Sequence, residues 1–451
     1  MAAGRFRIPP NQSFSSKYTK TGILGFGNVA AATLQSFLAN QDLIHAKSRS
    51  PIEFIRIATR TPSRAYGRVP AGCRVDDDPH ALVEDPQVEV VIELTGNVPL
   101  GRELVLRALA QGKHVITANK ALLARHGAEI MTAAAHAECR VLFEGAVAVS
   151  IPIIKTLREA AAANRISSVV GILNGTSNYV LSQMSEHGAD FSTALAEAQR
   201  QGYAEADPTL DINGEDAAHK ITLLASLAFG VPIDFDKVDF KGITDIERED
   251  IEFAKRLGHQ VKLIAQAKRV GEAIVTGVRP TLVPDRSMLA LVSGSMNGIA
   301  LQGDLLGSAF LYGSGAGGKQ TSSAVLADLL ELANGDALNA GAGAYNMGFR
   351  DAAPAAAFAS GQPDLVQAFY IRLRLDDRAG ALADVSRVLA TANISVHSLL
   401  QDAAQGEMTD LVVITHPVSE QLLRKTLPQL QDAAGPGHSV VVLPVLEDCG
   451  C

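Results

Sequence analysis

The spacing of hydrophobic and polar residues divides the chain into three stretches of different rhythm. In the first, an apolar run Thr21–Gly25 passes through a glycine turn into a segment where Ala30, Leu34, Phe37 and Leu38 share one helix face. Apolar runs at Ile52–Ala58 and Val88–Leu94 predict two more strands. A helix over Leu100–Gln111, closed by Gly112, leads to a strand at His114–Thr117. Strands alternating with helices predict an α/β, Rossmann-type domain with a parallel sheet over 20–146.

From Val147 to about residue 320 the pattern is mixed. Helices are expected around 151–163, 177–187, 192–201, 214–229 and 247–258, with strand-like runs such as Val169–Leu173 and Ala273–Arg279 between them. This reads as an α+β catalytic and dimerisation domain over 147–320. A glycine-rich turn, Tyr312–Gly318, precedes an apolar helical segment, 321–345, expected to pack back on the first domain. Residues 351–367 are rich in Ala, Pro and Gly and read as a linker. In the last unit, 368–448, the order is strand 369–375, helix 380–392, strand 394–401, strand 408–416, helix 418–433, strand 438–447. That β-α-β-β-α-β order is ferredoxin-like.

Length and charge narrow the function classes. With 451 residues, about three domains are expected. The net charge of −8 and the lack of a long basic run argue against a nucleic-acid partner. No apolar run approaches the roughly 20 residues of a membrane helix, so no membrane partner is expected. Residues 1–19 lack the apolar core of a secretory signal and read as a flexible arm. Four cysteines without framework spacing (Cys73, Cys139, Cys449 and Cys451) point to a reducing compartment, and a cytoplasmic location follows.

The chemistry begins at Gly25-Phe26-Gly27-Asn28-Val29-Ala30, a G-x-G-x-x-A turn between a strand and a helix. Gly25 makes the tight turn, Gly27 lets the backbone approach a pyrophosphate, and Ala30 permits close packing. Phosphates would then sit on the free N–H groups of the helix start. The second strand ends Ala58-Thr59-Arg60, with Arg64 close behind and no acid to bind a ribose 2′-hydroxyl. Arg60 and Arg64 suit a 2′-phosphate instead. NADP is therefore favoured, with NAD use left open.

Further segments resemble homoserine dehydrogenase. They are Glu93-Leu-Thr-Gly96, Gly112-Lys-His-Val-Ile-Thr-Ala-Asn-Lys120, Ile151-Pro-Ile-Ile154, Gly171-Ile-Leu-Asn-Gly-Thr-Ser-Asn178, Gly202-Tyr-Ala-Glu-Ala-Asp-Pro208 and Asp216-Ala-Ala-His-Lys220. The resemblance covers about 20–345. It implies interconversion of L-homoserine and L-aspartate 4-semialdehyde in threonine, methionine and isoleucine biosynthesis. It also implies residue roles: Lys220 as proton donor and acceptor, Asp216 orienting it, and Lys120 contacting cofactor and substrate. Glu205 and Asp211 would accept the substrate ammonium, and Asn174, Gly175 and Thr176 would supply donors nearby. Thr95, Gly202 and Gly315 would lie along the cofactor. Spacing alone makes Asp216 and Lys220 no more than an i,i+4 helix pair. A lysine relay further needs burial or a second cation to lower its titration toward working pH.

The family often holds a monovalent cation such as Na+ on backbone oxygens, and Glu144, Val147, Val149 and Ile151 occupy the matching positions. Here Ala148-Val149-Ser150 replaces a common glycine pair, and a β-branched Val149 is expected to restrict φ to negative values. The final unit resembles an ACT domain through Asp377-Arg-Ala-Gly380-Ala-Leu382 and Asn393-Ile-Ser-Val396. It implies a regulatory ligand, threonine first, or side-by-side pairing. A homodimer or tetramer is expected. Two other readings stay open: a different NAD(P)-dependent amino-acid oxidoreductase, and a non-catalytic NADPH and amino-acid sensor.

Overall fold

A computed structural model of the chain describes residues 18–335, 347–349, 357–358, 364–402, 407–435 and 438–447. Most of the N-terminal arm, the end of the 321–345 segment and Cys449 and Cys451 lie outside the described residues.

The first domain runs β1 (Thr19–Leu24), α1 (Asn28–Ala39), α2 (Gln41–Lys47), β2 (Ile52–Ala58), β3 (Arg74–Asp76), α3 (Pro79–Glu84), β4 (Val90–Glu93), α4 (Val98–Ala110), β5 (His114–Thr117), α5 (Lys120–His136) and β6 (Val141–Leu142). Its six strands pair in parallel in the order β3-β2-β1-β4-β5-β6. The central strands read as continuous apolar runs because helices cover both faces. The α5 helix, which opens at Lys120, was not foreseen in the sequence.

The middle domain begins with the short α6 (Ile153–Lys155) and a π-helical turn, Thr156–Ala160, where one regular helix was expected. Buried Glu144 takes the free N–H groups of Ile154 and Lys155 (3.0 and 2.9 Å), so the helix starts there. After β7 (Ile166–Ile172) come α7 (Gly175–His187), α8 (Phe191–Arg200), α9 (Thr209–Ile212), α10 (Glu215–Phe229), β8 (Asp239–Phe240) and α11 (Arg248–Arg256). The hairpins β9 (His259–Val270) with β10 (Ala273–Pro284), and β11 (Met296–Gly303) with β12 (Gly307–Ser314), follow. The sheet order is β12-β11-β7-β9-β10-β13, where β13 is Ala357–Phe358, with β8 on β10. Helix α10 packs against β9 and β10 and also against α5. It is buried almost all round, as a helix between two layers must be. Then α12 (Gly318–Ala333) returns to the first domain, where Val325, Leu326 and Leu329 join the core of Ile23, Phe37 and Ile57.

Within the stretch read as linker, β13 (Ala357–Phe358) pairs with β10, and β14 (Val366–Gln367) with β18 (Val418–Ser419). The C-terminal domain adds β15 (Phe369–Asp376), α13 (Ala381–Thr391), β16 (Val396–Gln401), β17 (Met408–Thr415), α14 (Glu420–Ala434) and β19 (Val440–Pro444). Its antiparallel sheet has the order β16-β17-β15-β19. One face carries α13 and α14 over Phe369, Ile371 and Leu373. The other face is packed on the middle domain: Tyr370, Val412 and Leu443 join its core, and Leu446 donates its N–H to the Leu282 carbonyl (2.8 Å). The stretch read as a linker thus leads into a unit whose sheet is buried against the middle domain, a seam that composition does not signal.

Candidate active site

The turn from β1 to α1 has the backbone a dinucleotide needs. Gly25 has φ +91°, and a Cβ there would stand 2.8 Å from the Leu94 carbonyl oxygen. Gly27 caps α1 with no side-chain hydrogen bond, and the first turn carries no acid. A Cβ on Gly27 would meet nothing within 4 Å. The helix therefore presents unclaimed N–H groups and the positive end of its dipole to open space, which fits a pyrophosphate. Arg68 lies over the Phe26 ring, 5.5 Å from its centroid. Beyond β2, Arg60 and Arg64 are exposed. One acid missed in the sequence, Asp76, pairs in register with Ala58 at the end of β2. Its carboxylate is held by Arg56 and Arg74, each at 2.9 Å.

The carboxyl edge of the parallel sheet is locked by another residue whose role the sequence did not show. Glu93 is fully buried, and its carboxylate accepts from the Thr95 N–H and hydroxyl (2.8 and 2.6 Å) and from the Thr117 hydroxyl (2.7 Å). Thr95 and the loop leading to Lys120 are thus fixed beside the glycine turn.

Across a cleft of about 460 Å³ stands the start of α10. Lys120, Glu205, Asp211 and Asp216 line this cleft, as do Val29 and Gly96. Lys220 lies just behind Asp216, buried, and its Nζ donates to Asp216 Oδ2 (2.8 Å) and to the Leu173 carbonyl (2.6 Å). Lys120 Nζ sits 3.1 Å from Asp216 Oδ1. Burial alone would raise the Asp216 carboxyl, but Lys220 and Lys120 hold it well below the usual carboxylate range. The Asp216 charge in turn raises Lys120 above an ordinary lysine. For Lys120 the lowering expected from burial is thus reversed, because the Asp216 charge outweighs it. Burial, then the Asp216 charge, raises Asp211 above the ordinary value.

Of Asn174, Gly175 and Thr176, expected to offer donors near a ligand, the two polar side chains bond within the protein. Asn174 Nδ2 donates to Asp211 and Asp216 (2.7 and 2.8 Å), while its Oδ1 caps Ser177 (2.7 Å). The Thr176 hydroxyl donates to the Tyr203 carbonyl (2.7 Å). A Cβ on Gly175 would stand 2.6 Å from the Ser295 carbonyl oxygen, so glycine lets two backbones meet. His219 is buried against Phe235 with ring centroids 4.7 Å apart, and it lines the cleft. Burial pushes its imidazole down to about 4, so it is neutral at pH 7. Asp207 braces a turn, accepting from the Thr209 N–H (3.1 Å), and also lines the cleft. Gly202 has φ +76° with open space around it, and a Cβ on Gly315 would collide with the Asn297 amide.

At the candidate cation loop, Ala148 and Val149 have φ +48° and +45°. The expected restriction of Val149 to negative φ is overridden by its surroundings, a left-handed conformation that costs about 1–2 kcal/mol per residue. Both Glu144 oxygens are spent on α6, and the Val147 and Ile151 carbonyls accept tight contacts from the Val149 and Ile153 N–H groups (2.6 and 2.7 Å). Among the described residues no group of three or more His, Cys, Asp or Glu side chains could hold a metal. In the C-terminal domain, Gly380 and Asn393 have φ +94° and +55°, Leu382 is exposed, and the Asp377 N–H donates to the Glu407 carbonyl (2.8 Å).

A phosphate-ready helix start facing a lysine pair bridged by one carboxylate is the layout of a nicotinamide-dependent oxidoreductase. Comparison with known proteins agrees and goes further. The homoserine dehydrogenase NAD-binding model matches residues 25–144, the homoserine dehydrogenase catalytic model 152–330, and the ACT domain model 369–435. A homoserine dehydrogenase of Pseudomonas aeruginosa is 38% identical over 445 residues, which is 95% of this chain and 99% of that protein. One of Corynebacterium glutamicum is 38% identical over 414 residues, 91% of each chain. The crystal structure of a homoserine dehydrogenase from Thiobacillus denitrificans superposes with a TM-score of 0.85 at 39% identity, covering 95% of this chain and 98% of that one. The chain belongs to the homoserine dehydrogenase family, and its activity is the nicotinamide-dependent interconversion of L-homoserine and L-aspartate 4-semialdehyde. Among the described residues no helix is long and apolar enough to cross a membrane.

Proposed function

We propose that Lys220 is the proton relay of this reaction, held by Asp216, with Lys120 as a fixed positive charge beside the reacting oxygen. The observation that carries this is the single carboxylate bridging both ammonium groups at the cleft. When bound on the α1 turn, the nicotinamide supplies hydride acceptance or donation. Lys220 as an amine takes the hydroxyl proton during oxidation, and as an ammonium it returns a proton to the carbonyl oxygen during reduction. Asp216 keeps its Nζ in place for either direction. Lys120, raised by Asp216, stays charged and stabilises oxyanion character at the same oxygen. Glu205 and Asp211 face the substrate ammonium, and burial of Asp211 makes a cation there favourable. Asn174 and Thr176 position these acids. Thr95, Gly202 and Gly315 border the cofactor.

NADP is the preferred cofactor in this reading, because Arg60 and Arg64 are exposed beyond β2 with no ion pair among the described residues, while Asp76 is already engaged by arginines. A monovalent cation would sit on backbone carbonyls of the 147–151 loop, using the second lone pairs of the Val147 and Ile151 oxygens that already accept hydrogen bonds. Threonine acts at the Gly380 turn, the enzyme works as a homodimer or tetramer, and its location is cytoplasmic.

A second reading gives the proton transfer to Lys120, since it lines the cleft directly and Lys220 does not. NADP+ reduction by homoserine with Lys220→Ala and Lys120→Ala separates the two. The first should lose about 100-fold or more in kcat with cofactor affinity nearly unchanged. Near-normal turnover in Lys220→Ala with collapse in Lys120→Ala would transfer the role.

A further inference from the structure

Asn297, near the start of β11, is fully buried, and neither its Oδ1 nor its Nδ2 has a hydrogen-bond partner among the described residues. Its backbone is held firmly. Asn297 pairs with Gly313 of β12, and the Gly294 and Met296 carbonyls just before it accept from Asn178 Nδ2 (3.0 and 3.2 Å). A carboxamide buried with donor and acceptor both unmet is costly, and an apolar side chain of the same shape would avoid that cost. Packing of the free chain therefore gives no reason for asparagine at this place.

The segment that covers it supplies one. Gly315 is buried on the face of the amide, where a Cβ would collide with Cγ, Oδ1 and Nδ2 alike. Its φ is not left-handed, so close approach is what requires glycine here. The neighbouring carbonyls of this loop are spent. Ser314 accepts from the Ser150 N–H and hydroxyl (3.3 and 2.8 Å), Ala316 from the Ser314 hydroxyl (2.8 Å), and Gly317 from the Thr321 N–H and hydroxyl (2.9 and 2.8 Å). The N–H and carbonyl of Gly315 itself make no hydrogen bond among the described residues. An unmet amide thus lies against an unmet stretch of backbone, each offering one donor and one acceptor.

This contact stands between the two halves of the active site. On one side, Gly318 packs against Asn28 and Ala32 of α1, just past the glycine turn. On the other, β7 pairs Ile172 with Gly298 and leads to Leu173, whose carbonyl accepts Lys220 Nζ (2.6 Å). A dinucleotide with its phosphates on α1 and its nicotinamide at Lys220 must run along the loop that joins these places. We infer that Asn297 is a positioning residue for the nicotinamide half of the cofactor. With the dinucleotide seated, the loop settles onto the amide: Asn297 Nδ2 donates to the Gly315 carbonyl, and the Gly315 N–H donates to Asn297 Oδ1. The inference rests on the reading that Gly315 borders the cofactor, and adds to it the residue that fixes Gly315.

The test is titration calorimetry on the full chain with NADPH and with 2′-phospho-ADP-ribose, which lacks the nicotinamide. Asn297→Leu, close in shape and without polar atoms, should weaken NADPH about tenfold and leave 2′-phospho-ADP-ribose unchanged. The free Asn297→Leu chain should unfold at the parent's temperature or higher, since it loses no hydrogen bond. Its rise in unfolding temperature at a fixed NADPH concentration should be smaller than the parent's. Gly315→Ala should also weaken NADPH, and the double variant should lose less than the two single losses combined, because both break one contact. Unchanged NADPH binding in Asn297→Leu, with Gly315→Ala impaired, would overturn the inference and leave Gly315 on the cofactor. Unchanged binding in both variants would remove the underlying reading as well. Equal weakening of both ligands, or a lower unfolding temperature of the free Asn297→Leu chain, would overturn the inference by showing a merely structural role. Fully additive losses in the double variant would overturn it by showing that the two residues act separately.

Discussion

The middle domain has two seams, and they use the same kinds of side chain in opposite ways. At the seam with the parallel sheet, charges face a cleft: the Lys120 side chain is 38% exposed, and Asp211 and Asp216 point at the same space. At the seam with the C-terminal sheet, charges face each other. Arg372, 1% exposed, donates to the fully buried Asp250 (2.7 and 3.1 Å) and to Glu247 (2.6 Å), and the Tyr370 hydroxyl joins them (3.1 Å). The first seam keeps capacity for a ligand. The second spends nearly all of it on itself, and the cavities along it are small, about 260 Å³ beside Asp410 and about 300 Å³ beside Val445.

The sharpest way to break this contrast is at Arg372. Removing one partner of a buried pair leaves the other charge uncompensated, which typically costs about 3–5 kcal/mol. Arg372→Ala should lower stability by that order in urea unfolding, with KM for homoserine little changed. A loss under about 1 kcal/mol, the scale of a surface pair, would show that the seam is not structural. For the same reason a chain ending near Gln362 should be less stable than the full chain, because its middle domain would expose the surface around Asp250 and Leu282.

What the sequence disclosed differs between these seams for a physical reason. The glycine turn and β1, β2, β4 and β5 are local patterns, legible within a few residues, whereas the short edge strands β3 and β6 were not read. Lys220 and Asp216 were legible only through surrounding motifs, since their spacing also fits a solvated helix pair. The bracing by Glu93 and Asn174 was not, because it depends on contacts 24 and 42 residues away in sequence. On β15 the alternation Phe369, Ile371, Leu373 marked one buried face. Tyr370, Arg372 and Arg374 then read as the wet face, and nothing local reveals that α11 covers them. Periodicity tells which face is apolar, and a polar face buried by another domain has no signal of its own.

Behind the open seam, α12 braces the first domain through a buried acid. Asp328 Oδ2 accepts the Glu144 N–H (2.9 Å), with Lys155 and Glu331 nearby. Burial, then the Glu144 charge, pushes the Asp328 carboxyl up to about 8. The folded chain therefore keeps a proton that the unfolded chain releases near 4. Its contribution is fully present below about pH 4 and is lost as pH rises through about 8, at no more than about 1.4 kcal/mol per pH unit. Asp328→Asn keeps an oxygen for the Glu144 N–H and removes the titration. Its urea midpoint should fall less than the parent's between about pH 6 and pH 9. Parallel curves would mean that Asp328 is ionised throughout.

The smallest effect is expected at the outer edge of the open seam, and it tests the contrast from the other side. Arg60 and Arg64 are exposed and form no ion pair among the described residues, so they have no structural partner to lose. If charges on this side are held for a ligand, replacing both with Ala should leave thermal unfolding unchanged, since surface substitutions usually stay within about 0.5 kcal/mol. Binding should respond instead. Loss of charge-assisted contacts to a 2′-phosphate should weaken NADPH about tenfold, and NADH, which lacks that phosphate, should bind as before. Because the groups are exposed, the NADPH difference should shrink as salt shortens the screening length. Fluorescence titration of both cofactors at low and high salt measures all of this. Equal weakening of NADH and NADPH would mean that the arginines shape the loop after β2 rather than read the phosphate. The free acid side of that loop would then have to be reconsidered, with Asp76 leaving Arg56 and Arg74 to meet the ribose.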